Sequence, residues 1–184
     1  MTATRILPIR ILFLAAAAVA PLLGGCHPKT APTPANFTQT LNAYFLDHPD
    51  CLFPQAPRFP FETSDPIMTK QLDSLVKMQL LDVAREPAIH VSRYTPTVAG
   101  TRAAPRFCFG HRVVSSIDSF TAPAQKNGFP ETLVSYRYFM EDVPVWAKPE
   151  QVQAVFPKLI SELQGTPSGT ATLAGTMAGW QVPD

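Results

Sequence analysis

The sequence predicts an α+β fold, a mainly antiparallel sheet with about three helices over one face, on three observations. Helical apolar spacing and strand-like alternation follow one another in the order α, α, β, β, β, β, α, β. Twenty prolines against nine glycines favour short, interrupted elements over long helices or coiled coils. The 184 residues, 46% hydrophobic and 16% charged, suffice for one ordinary core. With 15 Lys and Arg against 14 Asp and Glu, there is neither an acidic tail nor a basic face for nucleic acid.

The first helix is expected over Asn36–Asp47, where Phe37, Leu41, Tyr44 and Phe45 recur at helical intervals behind an Asn36 cap. His48-Pro49-Asp50-Cys51 ends it, and the prolines up to Pro60 predict turns. Asp65-Pro66 opens a second helix in the favoured way, and Met68, Leu72, Leu75, Val76 and Leu80 carry it to residue 82. Ile89–Tyr94 alternates as a strand, Thr97–Gly100 supplies a turn, and a second extended segment ends at Phe107-Cys108-Phe109. From His111, Val113–Phe120 and then Leu133–Met140 read as an antiparallel pair joined through Asn127-Gly128, with the first strand able to continue from Phe109. Pro149 starts a third helix with the stripe Val152, Val155, Phe156, Leu159, Ile160 and Leu163, which Pro157 should kink or split. Thr170–Val182 alternates as a last strand, so the C-terminal half reads ββαβ.

The N-terminus carries an address. Arg5 and Arg10 precede an apolar run from Ile11 to Ala20, then Pro21 and small residues: the order of a secretory signal, too short to span a membrane comfortably. Leu23-Gly24-Gly25-Cys26 resembles the lipobox of bacterial lipoproteins. The resemblance implies diacylglycerol transfer to the Cys26 sulfur, cleavage before Cys26 and acylation of the new amino group. It also implies a chain anchored in the bacterial cell envelope without spanning the membrane, because each buried methylene contributes about 0.8 kcal/mol. His27 in place of Asp after the cysteine is compatible, on the same resemblance, with an outer-membrane protein facing the periplasm in a Gram-negative cell.

The expected organisation is a signal peptide over 1–25, a flexible tether over 26–35 rich in Pro, Thr and Ala, and one α+β domain over 36–184, divisible into subdomains 36–110 and 111–184. Cleavage removes Arg5 and Arg10 and no acid, leaving 13 basic and 14 acidic residues and making DNA binding still less apt. Leu72–Leu81 with Arg93–Gly100, including Tyr94, Thr97 and Gly100 of a wing-like motif, resembles the second half of a winged-helix domain over 66–109. Lys70 and Lys77 stand beside Asp73 and Asp82, so the resemblance implies a packing motif rather than a DNA reader.

Candidate chemistry is sparse. With Cys26 lipidated, Cys51 and Cys108 remain in an exported chain and pair as a disulfide, against the alternatives of free or intermolecular thiols. A second use of the same region joins His48, Cys51, Cys108 and His111 in a metal site, or activates Cys108 with His111. Tyr136, Tyr138 and Trp146 offer an aromatic ligand face or else one half of a core. No nucleophile motif, dinucleotide fingerprint or phosphate loop is present, so no catalytic residue and no cofactor is assigned. The functional expectation is a non-enzymatic, membrane-anchored envelope lipoprotein that binds a protein partner or assists assembly. Its rival is a periplasmic metal-handling or thiol-active protein using those two histidines and two cysteines.

Overall fold

Two antiparallel sheets and four helices make up the fold in a computed structural model that describes residues 28–126 and 128–183. Residues 1–25, where a signal peptide is expected, Cys26, and Asn127 of the expected hairpin turn lie outside the described residues. The α+β class holds, but the strands divide between two sheets rather than forming one.

The smaller sheet has the order β1-β3-β2, from β1 (Phe61–Thr63), β2 (Leu81–Glu86) and β3 (Val91–Pro96). Helix α2 (Pro66–Lys77) packs on it through Leu72 and Leu75; its Asp65 cap accepts from the Met68 N–H at 2.6 Å. Asp73 fastens helix to sheet, accepting from both the Tyr94 hydroxyl (2.8 Å) and the Arg85 guanidinium (2.8 and 2.9 Å). The sequence pattern put the helix end at 82 and the hairpin after residue 89. In the structure the chain leaves the helix at Met78, turns left-handed at Gln79 (φ 61°) and enters β2 at Leu81, so the hairpin is β2–β3 with its turn at 87–90. Leu80 and Leu81 satisfy helical spacing and strand burial equally well, which is why periodicity misplaced the boundary. Thr97–Gly100 does turn the chain, but into a 3-10 turn at Gly100–Arg102 rather than into a second extended segment.

The larger sheet runs β4-β6-β7-β8, with β5 also on β6: β4 (His111–Phe120), β5 (Ala124–Lys126), β6 (Phe129–Glu141), β7 (Ser168–Thr176) and β8 (Gly179–Gln181). The strand expected over 170–182 is therefore a hairpin, because Gly179 (φ 123°) reverses the chain after Met177. Cys108 is held in an isolated bridge and does not run into β4: Gly110 (φ 128°) turns the chain where a Cβ would stand 2.4 Å from the Glu141 carbonyl oxygen. Helix α1 (Pro34–Asp47) buries Phe37, Leu41 and Phe45 against this sheet with Val134, Tyr136, Tyr138, Leu173 and Trp180. It also reaches both flanks: Asn42 Oδ1 accepts from the Val114 N–H (2.8 Å), and the Thr40 hydroxyl donates to the Trp180 carbonyl (3.1 Å).

Between β6 and β7 the chain crosses to the smaller sheet. The third helix is split by Pro157, as its sequence predicts, into α3 (Glu150–Gln153) and α4 (Pro157–Leu163). Val152, Phe156 and Leu159 join Phe53, Leu72, Leu75, Tyr94, Phe107 and Phe109 in the other core. The proposed division at residue 110 therefore does not separate the cores. The first half lends α1 to the larger sheet, and the second half lends α3 and α4 to the smaller.

The expected tether is also shorter than its composition implied. Ala31 turns back on Pro28, Asn36 Nδ2 donates to the carbonyls of Pro28 (3.0 Å) and Ala31 (2.8 Å), and Trp180 Nε1 donates to Ala31 (3.1 Å). Residues 28–33 are thus laid against the domain, and α1 begins at Pro34 behind a Thr33 cap.

Candidate functional site

Cys51 sits in the first turn after α1, and a short antiparallel bridge brings it to Cys108. Asp50 N–H donates to the Gly110 carbonyl (2.9 Å), Phe109 N–H to Asp50 (2.8 Å), Leu52 N–H to Phe107 (3.1 Å) and Phe53 N–H to Arg106 (3.0 Å). The two sulfurs are bonded to each other at 2.03 Å. This fastening holds Leu52 and Phe53 along one wall of an open apolar groove of about 530 Å³. Pro54 and Pro57 continue that wall, and Phe61 of β1 and Met68 of α2 face it. The groove belongs to the smaller sheet's module, at the opposite end of α1 from Pro28.

Beside the bridge lies a charge cluster that bears on the joint between the two cores. Arg112, at the start of β4, donates to Asp50 (Nε–Oδ2 2.9 Å, Nη2–Oδ1 3.2 Å) and to Glu162 of α4 (3.2 Å). The Tyr138 hydroxyl donates to Glu162 (2.6 Å), Lys158 donates to Asp50 (2.9 Å), and the guanidinium lies over the Tyr138 ring at 4.7 Å. The Asp50 and Glu162 side chains are only 10% and 9% exposed, that of Arg112 22%. Burial opposes the charge on Arg112, but the two carboxylates outweigh it and hold the guanidinium proton more tightly than in water. Both carboxylates are engaged with cations, so the geometry is that of a clamp joining α1's exit, β4, β6 and α4. Sequence reasoning missed it. One signal was legible: Glu162 follows Leu159 by three residues, on the apolar face of its helix.

The aromatic ligand face does not form. Tyr136 and Tyr138 are buried in the larger sheet's core, with Tyr136 lining a recess of about 370 Å³ together with Arg112. Trp146 packs on the other core, its ring 6.3 Å from Phe107. Alternation put the two tyrosines on one face of β6, and α1 covers that face. Burial raises the pKa of both above the ordinary phenol value; the Glu162 hydrogen bond adds to it for Tyr138, and the Arg112 charge opposes it for Tyr136. Tyr94 is raised by burial and by its bond to Asp73. Below the unfolded value of about 10 this contribution is fully present, and above it the unfolded chain ionises first and stability falls. An alkaline titration is therefore expected to show these three phenolates appearing together with loss of secondary structure. Phenolate absorbance rising fully while the fold persists would refute the burial.

The alternative metal set is not brought together either. Both sulfurs are spent on each other, so neither is a thiolate ligand or nucleophile. His48 stacks on Tyr44 at 4.0 Å with Nδ1 2.7 Å from that residue's carbonyl oxygen, and His111 lies 3.8 Å from Glu141 and 3.5 Å from Asp142. Among the described residues no group of three or more His, Cys, Asp or Glu is placed to hold a metal ion. In comparisons with known proteins the chain matches no family model, no curated protein and no solved structure.

Proposed function

We propose that the chain is a lipid-anchored protein of the bacterial cell envelope, non-enzymatic, that binds a protein partner or assists an assembly, on the outer membrane facing the periplasm where the cell is Gram-negative. The anchor part rests on the lipobox-like Leu23-Gly24-Gly25-Cys26, and among the described residues no helix is long and apolar enough to cross a membrane. The groove of Leu52, Phe53, Pro54, Phe61 and Met68 carries the binding part. It is open and apolar, its wall is fixed by a covalent staple, and it lies at the opposite end of α1 from Pro28. An apolar segment of a partner protein suits such a groove better than a polar metabolite, which needs convergent hydrogen-bonding groups.

A photocrosslinking amino acid at Met68, introduced into the full chain in its own bacterium, is expected to capture a discrete partner, and one at the exposed Ser119 of β4 to capture none. Met68→Glu is expected to abolish function while leaving the thermal transition in place, because Met68 is only partly buried. Equal capture from both positions, or from neither, would remove the groove as the binding site.

A further inference from the structure

Several side chains that the fold leaves exposed converge where the chain emerges. Pro28 stands two positions after Cys26, so at most about 7 Å of backbone separates their Cα atoms. Pro28 is itself pinned by Asn36 to the N-terminus of α1, and its neighbour Lys29 lies against Gly179, where a Cβ would stand 3.4 Å from the Lys29 carbonyl oxygen. Gly179 follows the β7–β8 turn, whose Met177 is completely exposed at 102%. The β5–β6 hairpin is on the same end: a Cβ on Gly175 would stand 3.0 Å from Pro130, whose neighbour Phe129 is 49% exposed. Lys29 and Lys126 are exposed at this end, Lys126 with its ammonium 3.6 Å from the Glu131 carboxylate. An exposed methionine in a turn and an exposed phenylalanine at the start of β6, with lysines nearby, have the composition of a surface that meets lipid headgroups.

We infer that this end of the larger sheet rests on the bilayer that carries the Cys26 lipids, with Met177 and Phe129 in the headgroup zone. The inference rests on the lipid-anchor reading of Cys26. Beyond the backbone from Cys26 to Pro28, at most about 7 Å, the chain after the lipid has little length in which to lift the domain, since Pro28 and Ala31 are bonded to it. Helix α1, 14 residues or about 20 Å long, then stands between the membrane and the smaller sheet's module. The groove is thereby held away from the lipid and open to the periplasmic space.

The test uses the full chain, purified from bacterial membranes in its processed form and reconstituted into phosphatidylethanolamine–phosphatidylglycerol vesicles. With Cys51 and Cys108 bonded, single added thiols at Met177→Cys, Phe129→Cys and Val98→Cys accept an environment-sensitive fluorophore; Val98, 92% exposed, lies on the smaller sheet's module. Labels at 177 and 129 are expected to lose emission to quencher-bearing lipids and the label at 98 to keep it. Protein that floats with the vesicles but whose 177 and 129 labels stay unquenched, or whose 98 label is quenched equally, overturns the orientation and leaves the anchor intact. Protein whose N-terminal peptide carries no acyl mass and does not float overturns the anchor, and the orientation with it.

Discussion

Replacing Arg112 by methionine is expected to destabilise the fold by about 3 kcal/mol, because the aliphatic packing is kept while two largely buried carboxylates lose their common cation. Asp50 retains Lys158, but Glu162 would keep only the Tyr138 hydroxyl as a partner. For a domain of this size the loss corresponds to a fall of about 10 °C in Tm. Lys158→Met should do much less, about 1 kcal/mol or below, because more than half of that side chain faces solvent. Adding Glu162→Gln to Arg112→Met removes the orphaned charge and still offers Tyr138 an acceptor, so part of the loss should return. Denaturant titrations of the four proteins decide the matter. An Arg112→Met variant within about 1 kcal/mol of the parent would make the cluster an ordinary solvated ion pair.

The second large effect is expected at the disulfide. Cys51 and Cys108 are separated by 57 positions, and in the chain-entropy model closing such a loop constrains the unfolded state by about 4 kcal/mol. The double variant Cys51→Ala/Cys108→Ala should lose about that much. It should also weaken partner capture at the groove, since Leu52 and Phe53 would be tied only by backbone hydrogen bonds to Phe107 and Arg106. Parent protein unfolded without reductant should offer no thiol to an alkylating reagent. Two reactive thiols there, or a double variant as stable as the parent, would dismiss the staple and return the cysteines to the metal or thiol chemistry that the sequence also allows.

Local signals carried much of the fold because they act over a few residues. Asp65-Pro66 begins α2, Pro157 divides the third helical stretch, and the 3- and 4-residue spacing of Phe37, Leu41 and Phe45 marks α1. Sheet membership was not legible, because nothing in Leu81–Glu86 or in Phe61–Thr63 says which strand each will pair with. Nor could periodicity tell that α1 would cross to the larger sheet and α3 and α4 to the smaller; that choice is made by packing between residues far apart in sequence, such as Asn42 with Val114, Gln71 with Val155 and Thr40 with Trp180. The candidate site divides in the same way. The cysteine pair followed from counting. Arg112 and Asp50 look, in sequence, like a strand charge and a turn acid, and only the tertiary bridge at Cys51 and Cys108 puts them together. Tyr136 and Tyr138 were rightly placed on one face, but a strand pattern does not say what covers that face.

Helix α1 has one more consequence, for behaviour in a crowd. Proteins tied to a membrane by lipid meet one another in two dimensions, where an open strand edge is a template for sheet-to-sheet aggregation. Here β4 forms one flank of the larger sheet; the Asn42 amide oxygen occupies its Val114 N–H, and register shifts after Val114 and Ile117 break the regular spacing a neighbour would need. At the other flank β8 is three residues long, and Thr40 takes its Trp180 carbonyl. Asn42 and Thr40, two polar residues of one helix, thus each take one backbone group at a border of the sheet, and under the proposed Cys26 anchor these are the borders that crowded neighbours would test.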